Sequence, residues 1–341
     1  MSKKKLLYIE ISTAHTEIIC SFVEALSNEY VVHLLINEKS LPRIQHLSDK
    51  IVIATLRESH FLGDIIAYKN KFKPDLILLN SAQGRRIRDL SLRLFFDKTP
   101  IVGVHHNAEN LYKSFTQKII HFKIKKYVVL ANFIKEHLKD KTKVKIEVFY
   151  PLSYQKIQAK PLDSQLKYIA IPGVLEQDRR DYFGFIEIIK EHQQKLDPNL
   201  KFVLLGNSKN HDGPQVLRLI QQNNLQDRFI LFNSYVQDDL MLSYVQSCIA
   251  IMPLMHPGTR WFDKYFETKI SGSYNLAFAF DKVLLMHEIF RGKNEFRQHG
   301  IFYNQKNFSS VVESLTSLPP IEKPVEFQFE VQKNQLLSFL S

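Results

Sequence analysis

Short apolar runs alternate with stretches whose apolar residues recur every three or four positions along most of the chain. Runs of this length bounded by turn residues predict strands, the longer periodic stretches predict helices, and their alternation predicts parallel βαβ units. In the first half, KLLYIEI reads as a strand and is followed by a helix from about Glu17 to Asn28. YVVHLLI and KIVIATL follow, then a helix through Asp64 to Phe72 that leads to PDLILLN. RRIRDLSLRLFF predicts another helix, PIVGVHHN a strand, and KKYVVLA a strand running into the helix NFIKEHLK; VKIEVFYPL closes the half.

The pattern then lapses. Residues 151–166 are polar, carry two prolines and show no periodicity, which predicts an interdomain linker. A second alternating series begins at LKYIAIPG and runs through FGFIEIIKEHQQKL, KFVLLG, GPQVLRLIQQNNL, RFILFNSY, DDLMLSYVQS and CIAIMPL. A helix around Tyr274–Phe280 precedes the strand KVLLMH. The reading is therefore α/β: two Rossmann-like, doubly wound domains facing a cleft, at residues 1–155 and 156–325. Residues 326–341 form a C-terminal segment with the pattern of a short amphipathic helix. A length of 341 residues suits two domains of roughly 150 residues each.

Composition changes this picture little, but charge changes it more. No apolar stretch approaches the ~18–20 residues of a spanning helix, and the basic start MSKKK leads into a run broken by Glu10, so a first strand is expected rather than a signal peptide. Two cysteines, Cys20 and Cys248, sit in apolar segments and read as buried free thiols, consistent with a cytoplasmic location. The net charge of +11 is uneven: residues 1–150 hold 25 Lys/Arg against 15 Asp/Glu, and the remainder 21 against 20. Arg85, Arg86, Arg88 and Arg93 fall in one predicted helix, Lys118, Lys123, Lys125 and Lys126 precede a strand, and Lys135 to Lys145 follow. A basic first half predicts an anionic partner, and docking of that domain at an anionic membrane surface is the expectation drawn from it. Nucleic acid is not expected, since no helix-turn-helix, RNP-like or zinc-finger pattern is present.

Two segments carry candidate chemistry. In GVLEQDRRDYFGFIEII a strand ends at Gly173, and Arg179 and Arg180 stand just before a helix, an arrangement suited to clamping a diphosphate. In FETKISGSYNLAFAF, Lys269 precedes Ser271, Gly272 and Ser273 at a helix start, where exposed backbone N–H groups make a phosphate nest. The same residues also read as an ordinary capped helix start. His105 and His106 follow the strand IVGV and are candidate bases, with Glu109 as an orienting partner; His15 is a second candidate. No metal-ligand spacing is present.

Taken together, these segments resemble GT-B glycosyltransferases, the nucleotide-sugar-dependent type found in bacterial surface-glycan assembly. The resemblance covers nearly the whole second half, including LLGN and RFILFNSYVQDDLMLSYVQSCIAIMP, and extends more loosely to VGVHHN and KYVVLANFIKEHL. It implies transfer of a sugar from a nucleotide sugar, as co-substrate, to a glycan or lipid-linked acceptor, with a nucleoside diphosphate leaving. It further implies that no metal or other cofactor is required, because fixed cations meet the leaving group. Carried over, Gly173, Arg179, Arg180, Lys269, Ser271, Gly272 and Ser273 would meet the diphosphate, Gly206 and Asn207 would line the cleft, and Tyr235 and Val236 would lie beside the nucleobase. His105 or His106 would act on the acceptor, and Glu267 would meet sugar or ribose hydroxyls. Many retaining members carry two glutamates ahead of an A-x-A-like turn; aligning AFAF on that turn puts Thr268 and Leu276 there. That departure keeps two alternatives open: a GT-B-like sugar-nucleotide epimerase, or a catalytically silent paralogue that binds glycan or partners a transferase.

Overall fold

The computed structural model describes residues 3–341. The described residues fold into two compact units, one running to residue 155 and rejoined by residues 325–341, the other of residues 156–324. In the first unit, β1 (Lys4–Glu10), β2 (Tyr30–Asn37), β3 (Val52–Leu56), β4 (Leu76–Leu79), β5 (Ile101–Val104), β6 (Lys126–Val129) and β7 (Lys145–Val148) form one sheet in the order β3-β2-β1-β4-β5-β6-β7. Every pairing is parallel, with Lys4 opposite Tyr30 and Leu6 opposite Leu76. In the second unit, β8 (Lys167–Pro172), β9 (Leu200–Asn207), β10 (Phe229–Phe232), β11 (Ala250–Ile251), β12 (Val283–His287) and β13 (Gly300–Tyr303) run in the order β10-β9-β8-β11-β12-β13, again all parallel.

Both orders reverse direction at the first strand. The crevice above β1 and β4 and that above β8 and β11 are therefore the places where loops diverge and a ligand has room. The strands read as continuous apolar runs because helices cover both faces; Leu6, Leu7, Tyr8 and Ile9 of β1 are all buried, as are Tyr168 to Ile171 of β8.

Element boundaries depart from the periodicity in instructive places. The segment beginning at Glu17 opens as a 3-10 turn, and the α-helix proper spans Ile19–Leu26. The strand in CIAIMPL is only Ala250–Ile251, because Pro253 has no N–H to continue a ladder. The helix Phe115–Lys123, which the periodicity does not mark, is capped by Ser114, whose hydroxyl accepts the Gln117 N–H. Residues 151–163 carry no helix or strand. Both cysteines are free; burial raises both thiols, Cys248 to about 12.

The C-terminal segment is the helix Phe329–Leu340, and it belongs to the first unit. It packs on β7 and the helix Ile19–Leu26 and buries Leu336 and Leu340. Gln332, buried with them, accepts the Tyr150 N–H (2.9 Å) and donates to the Glu326 carbonyl (2.7 Å), while Lys126 Nζ donates to the Phe339 carbonyl (2.8 Å).

Candidate functional site

In the second unit the chain leaves β8 through Gly173, whose φ of 116° is open to glycine and strained for other residues. A Cβ there would also stand 2.5 Å from the Arg180 guanidinium, which lies over this strand end. At the end of β9, Gly206 is equally constrained, since a Cβ would stand 2.3 Å from the Gly173 carbonyl oxygen. Arg180 is 8% exposed. No ion pair or hydrogen bond to its guanidinium is present among the described residues, and its Nε is buried without a partner. Burial raises the Tyr182 phenol to about 12, and it raises Tyr274 too; the charge of Arg180 pulls both the other way, which places that charge near both rings.

Tyr274 belongs to the first turn of the helix Gly272–Phe280. Ser271 caps this helix, its hydroxyl accepting the Ser273 N–H at 3.3 Å. In the same turn, Ser273 Oγ, Tyr274 Oη and Asn275 Oδ1 are buried without a hydrogen-bond partner. A Cβ on Gly272, by contrast, would meet nothing within 4 Å. A buried guanidinium without a counter-ion, beside a helix start with orphaned polar groups, is an uncompensated electrostatic cost that a bound anion would offset.

The two sequence segments meet at Trp261. Arg179 Cζ, Lys264 Nζ and Lys269 Nζ lie 5.7, 4.7 and 4.6 Å from the centre of its ring, and its backbone N–H donates to the Asp178 carbonyl (3.0 Å). Arg179 also lies 2.8 Å from the Glu176 carboxylate. A chain of bonds fixes Asp181, the residue that follows the arginines. The Asp181 carboxylate caps the helix Tyr182–His192 by accepting the Gly184 N–H (3.0 Å), and it also accepts from Gln177 (2.9 Å) and from His256 Nδ1 (2.8 Å). His256 Nε2 in turn meets the Tyr303 hydroxyl at 2.5 Å. Burial pushes the Asp181 carboxyl up, but these donors outweigh it and bring it down to about 2.

The remaining second-unit candidates are more ordinary. Asn207 Oδ1 accepts its own turn's Lys209 N–H (2.9 Å). Tyr235 is exposed and donates to Asp238 (3.1 Å), and Val236 is buried. Glu267 is exposed as the last residue of the helix Phe262–Glu267.

In the first unit the structure separates the tandem histidines. The His105 ring is buried edge-to-face against Tyr127, and neither nitrogen has a hydrogen-bond partner. Burial lowers it to about 3, against a smaller opposing effect of the Gln117 side chain. A ring with no access to solvent exchanges no proton with a substrate, so the expected catalytic role does not fit His105. His106 points elsewhere. Its Nε2 donates to the Asn80 carbonyl (2.7 Å), and its ring stacks on His15 at 3.6 Å and 5°. That bond leaves Nδ1 as the acceptor nitrogen of the neutral ring. Glu109 bonds to Lys113 (2.8 Å).

Beneath the stacked rings lies a network that no sequence pattern announces. Glu10 is fully buried at the end of β1; its carboxylate accepts from Ser12 N–H (2.7 Å), Asn80 Nδ2 (2.7 Å) and Ser81 Oγ (2.6 Å). Asn80 also donates to the His15 carbonyl (2.9 Å) and accepts the Tyr8 hydroxyl (2.5 Å). Three βα loops are thereby fixed around His15, which adopts a left-handed φ of 60°.

The pH dependence of His105 follows from its burial. Its folded value lies below the ordinary histidine value of about 6.5, so the stability linked to its neutral form is present above pH 6.5 and is lost as pH falls from there toward 3. At pH 5 that loss is about 2 kcal/mol. His105→Phe, which forfeits no hydrogen bond, should shrink the fall in stability between pH 7 and pH 5 by about that amount. Denaturant melts at the two pH values check it, and an unchanged difference would mean the ring titrates normally.

No protein-family model and no curated protein matches the sequence. Solved structures do match, and they define the class: the chain has a GT-B glycosyltransferase-like fold, shared by glycosyltransferases and related epimerases. A glycosyltransferase from Rickettsia africae matches with a TM-score of 0.64 at 13% identity, over 100% of this chain and 95% of that one. A sucrose-phosphate synthase from Thermosynechococcus elongatus matches with a TM-score of 0.62 at 12% identity, over 99% and 95%. The UDP-GlcNAc 2-epimerase from Neisseria meningitidis, bound to UDP-GlcNAc, matches with a TM-score of 0.61 at 14% identity, over 99% of both chains. Among the described residues, no helix is long and apolar enough to cross a membrane, and no group of three or more His, Cys, Asp or Glu stands together as metal ligands.

Proposed function

We propose that this chain transfers a sugar from a nucleoside-diphosphate sugar to a glycan or lipid-linked acceptor. The observation that carries the reading is Arg180, a buried cation without a counter-ion over Gly173. The diphosphate supplies the missing charge. Arg180 and the first turn of the helix Gly272–Phe280 hold it, and Arg179 and Lys269, gathered at Trp261, add charge at its rim. As the sugar–phosphate bond breaks, negative charge grows on the leaving oxygen, and cations fixed in a dry site stabilise it without rearranging. On the first unit, His106 takes the proton of the attacking hydroxyl through Nδ1, and His15 and Glu10 hold the ring in place. Glu267 contributes hydrogen bonds to sugar or ribose hydroxyls.

A second reading is favoured by the epimerases among the structural relatives: this site then changes a sugar while it is still attached to the nucleotide. Product analysis separates the two. With a panel of nucleotide sugars, uridine diphosphate sugars first because a relative is bound to UDP-GlcNAc, transfer releases nucleoside diphosphate only when an acceptor is present. Epimerisation yields an isomeric nucleotide sugar without acceptor. Nucleotide binding with neither product across a broad acceptor panel would defeat both readings and leave a silent binding protein.

A further inference from the structure

The chain has 25 phenylalanines, and among the described residues only four are exposed: Phe95 (47%), Phe96 (93%), Phe115 (76%) and Phe122 (69%). All four lie within 28 residues of one another, and Leu92 joins them at 55% exposure. Single exposed apolar residues are common, but clustered aromatic ones mark a surface that meets something.

Leu92 lies on the helix Arg85–Arg93, Phe95 and Phe96 in the turn that follows it, and Phe115 and Phe122 on the helix Phe115–Lys123. The two helices pack together and are tied at both ends: Gln117 Nε2 donates to the Ala82 carbonyl (3.2 Å) just ahead of the first helix, and Lys123 Nζ donates to the Asp97 carbonyl just beyond it. On the second helix Phe115, Lys118, Ile119 and Phe122 share one stripe by helical spacing, and on the first Arg85, Arg88 and Leu92 do. Both stripes are turned from the core, since Ile87, Leu90 and Ile120 are the buried positions. Residues 85–126 hold ten Lys/Arg against three Asp/Glu. Each acid is already matched: Asp89 by Arg88 (2.7 Å), Asp97 by Lys69 (2.5 Å) and Glu109 by Lys113 (2.8 Å). Arg85, Arg93, Lys98, Lys118 and Lys125 are exposed and have no ion pair among the described residues.

We propose that these residues together form one face, a docking surface for an anionic lipid bilayer. The phenylalanines and Leu92 enter the boundary between headgroups and acyl chains, and the surrounding lysines and arginines pair with lipid phosphates. The charge selects this partner over a second copy of the chain. A two-fold contact through the same face would press cations against cations.

The test is co-sedimentation of the full chain with vesicles of phosphatidylglycerol and phosphatidylethanolamine, and with vesicles of phosphatidylcholine, at low and high salt. Wild type should sediment with the anionic vesicles at low salt and stay in solution with the neutral ones. The double variant Phe96→Ser with Phe122→Ser, altered only at exposed positions, should lose partitioning at least about tenfold. Lys118→Glu with Lys125→Glu should lose at least about tenfold as well, together with the salt dependence. Failure of wild type to sediment with anionic vesicles at low salt overturns the proposal. So does full binding by the phenylalanine variant. So does a dimer, seen by sedimentation velocity, that the phenylalanine substitutions dissolve while vesicle binding stays absent.

Discussion

Arg180→Ala should weaken nucleoside-diphosphate binding by about 1.5–3 kcal/mol, the loss of a charged hydrogen bond to the diphosphate, while leaving the stability of the ligand-free protein within about 1 kcal/mol of wild type. The pairing of these outcomes matters more than either alone. An arginine that belongs to the fold forms ion pairs or bonds carbonyls, and its removal unfolds the surroundings. Arg180 does neither among the described residues, so alanine removes a largely buried charge that no protein group offsets. Arg180→Lys should retain part of the affinity, because a point charge replaces a planar fork. Calorimetry with the diphosphate and denaturant melts of the free protein read the two quantities. Unchanged affinity in a folded Arg180→Ala protein would remove the diphosphate from this site, and a large loss of stability would make the residue structural.

His106→Ala should reduce turnover by about 10²–10⁴-fold, the usual contribution of a positioned base, with donor affinity preserved. His105→Phe, one position earlier, should keep near-normal turnover, since that ring is buried beside Tyr127 and is uncharged at neutral pH. Glu10→Gln should fall between them. It exchanges the carboxylate that orders Asn80 and Ser81 for an amide with one acceptor oxygen, loosening the loops that hold the ring without removing it. Steady-state rates with saturating donor, alongside donor titrations, decide the ranking. Loss of turnover in His105→Phe with activity intact in His106→Ala would reverse the assignment of the two rings.

Much of this was readable in the chain. Strands buried on both faces are unbroken apolar runs, so β1, β8 and β12 stand out, and DDLMLSYVQS is the helix Asp238–Ser247 residue for residue. The glycines at 173 and 206 and the arginines at 179 and 180 were visible because their chemistry is local: a turn, a strand end, a helix start. The bond networks around the two sites were not. Asp181 meets His256 across 75 positions and His256 meets Tyr303 across 47, and no periodicity announces such pairings. Glu10 and Asn80, 70 apart, read as a strand's interruption and a strand's last residue. Trp261 was silent for the same reason, its value lying in the cations that gather on it from two segments. The tandem histidines were legible as a pair and not as two different environments, because neighbouring residues at a strand end point to opposite sides.

The helix Phe329–Leu340 completes the unit translated first with residues translated last. Residues 156–324 form an unbroken stretch whose six strands are all in hand once that stretch has left the ribosome. The first unit is translated earlier but stays unfinished, with the surfaces of β7 and of the helix Ile19–Leu26 uncovered until Leu336 and Leu340 arrive. During that interval the half made first carries the exposed apolar surface, the kind of surface that makes an unfinished chain prone to aggregate.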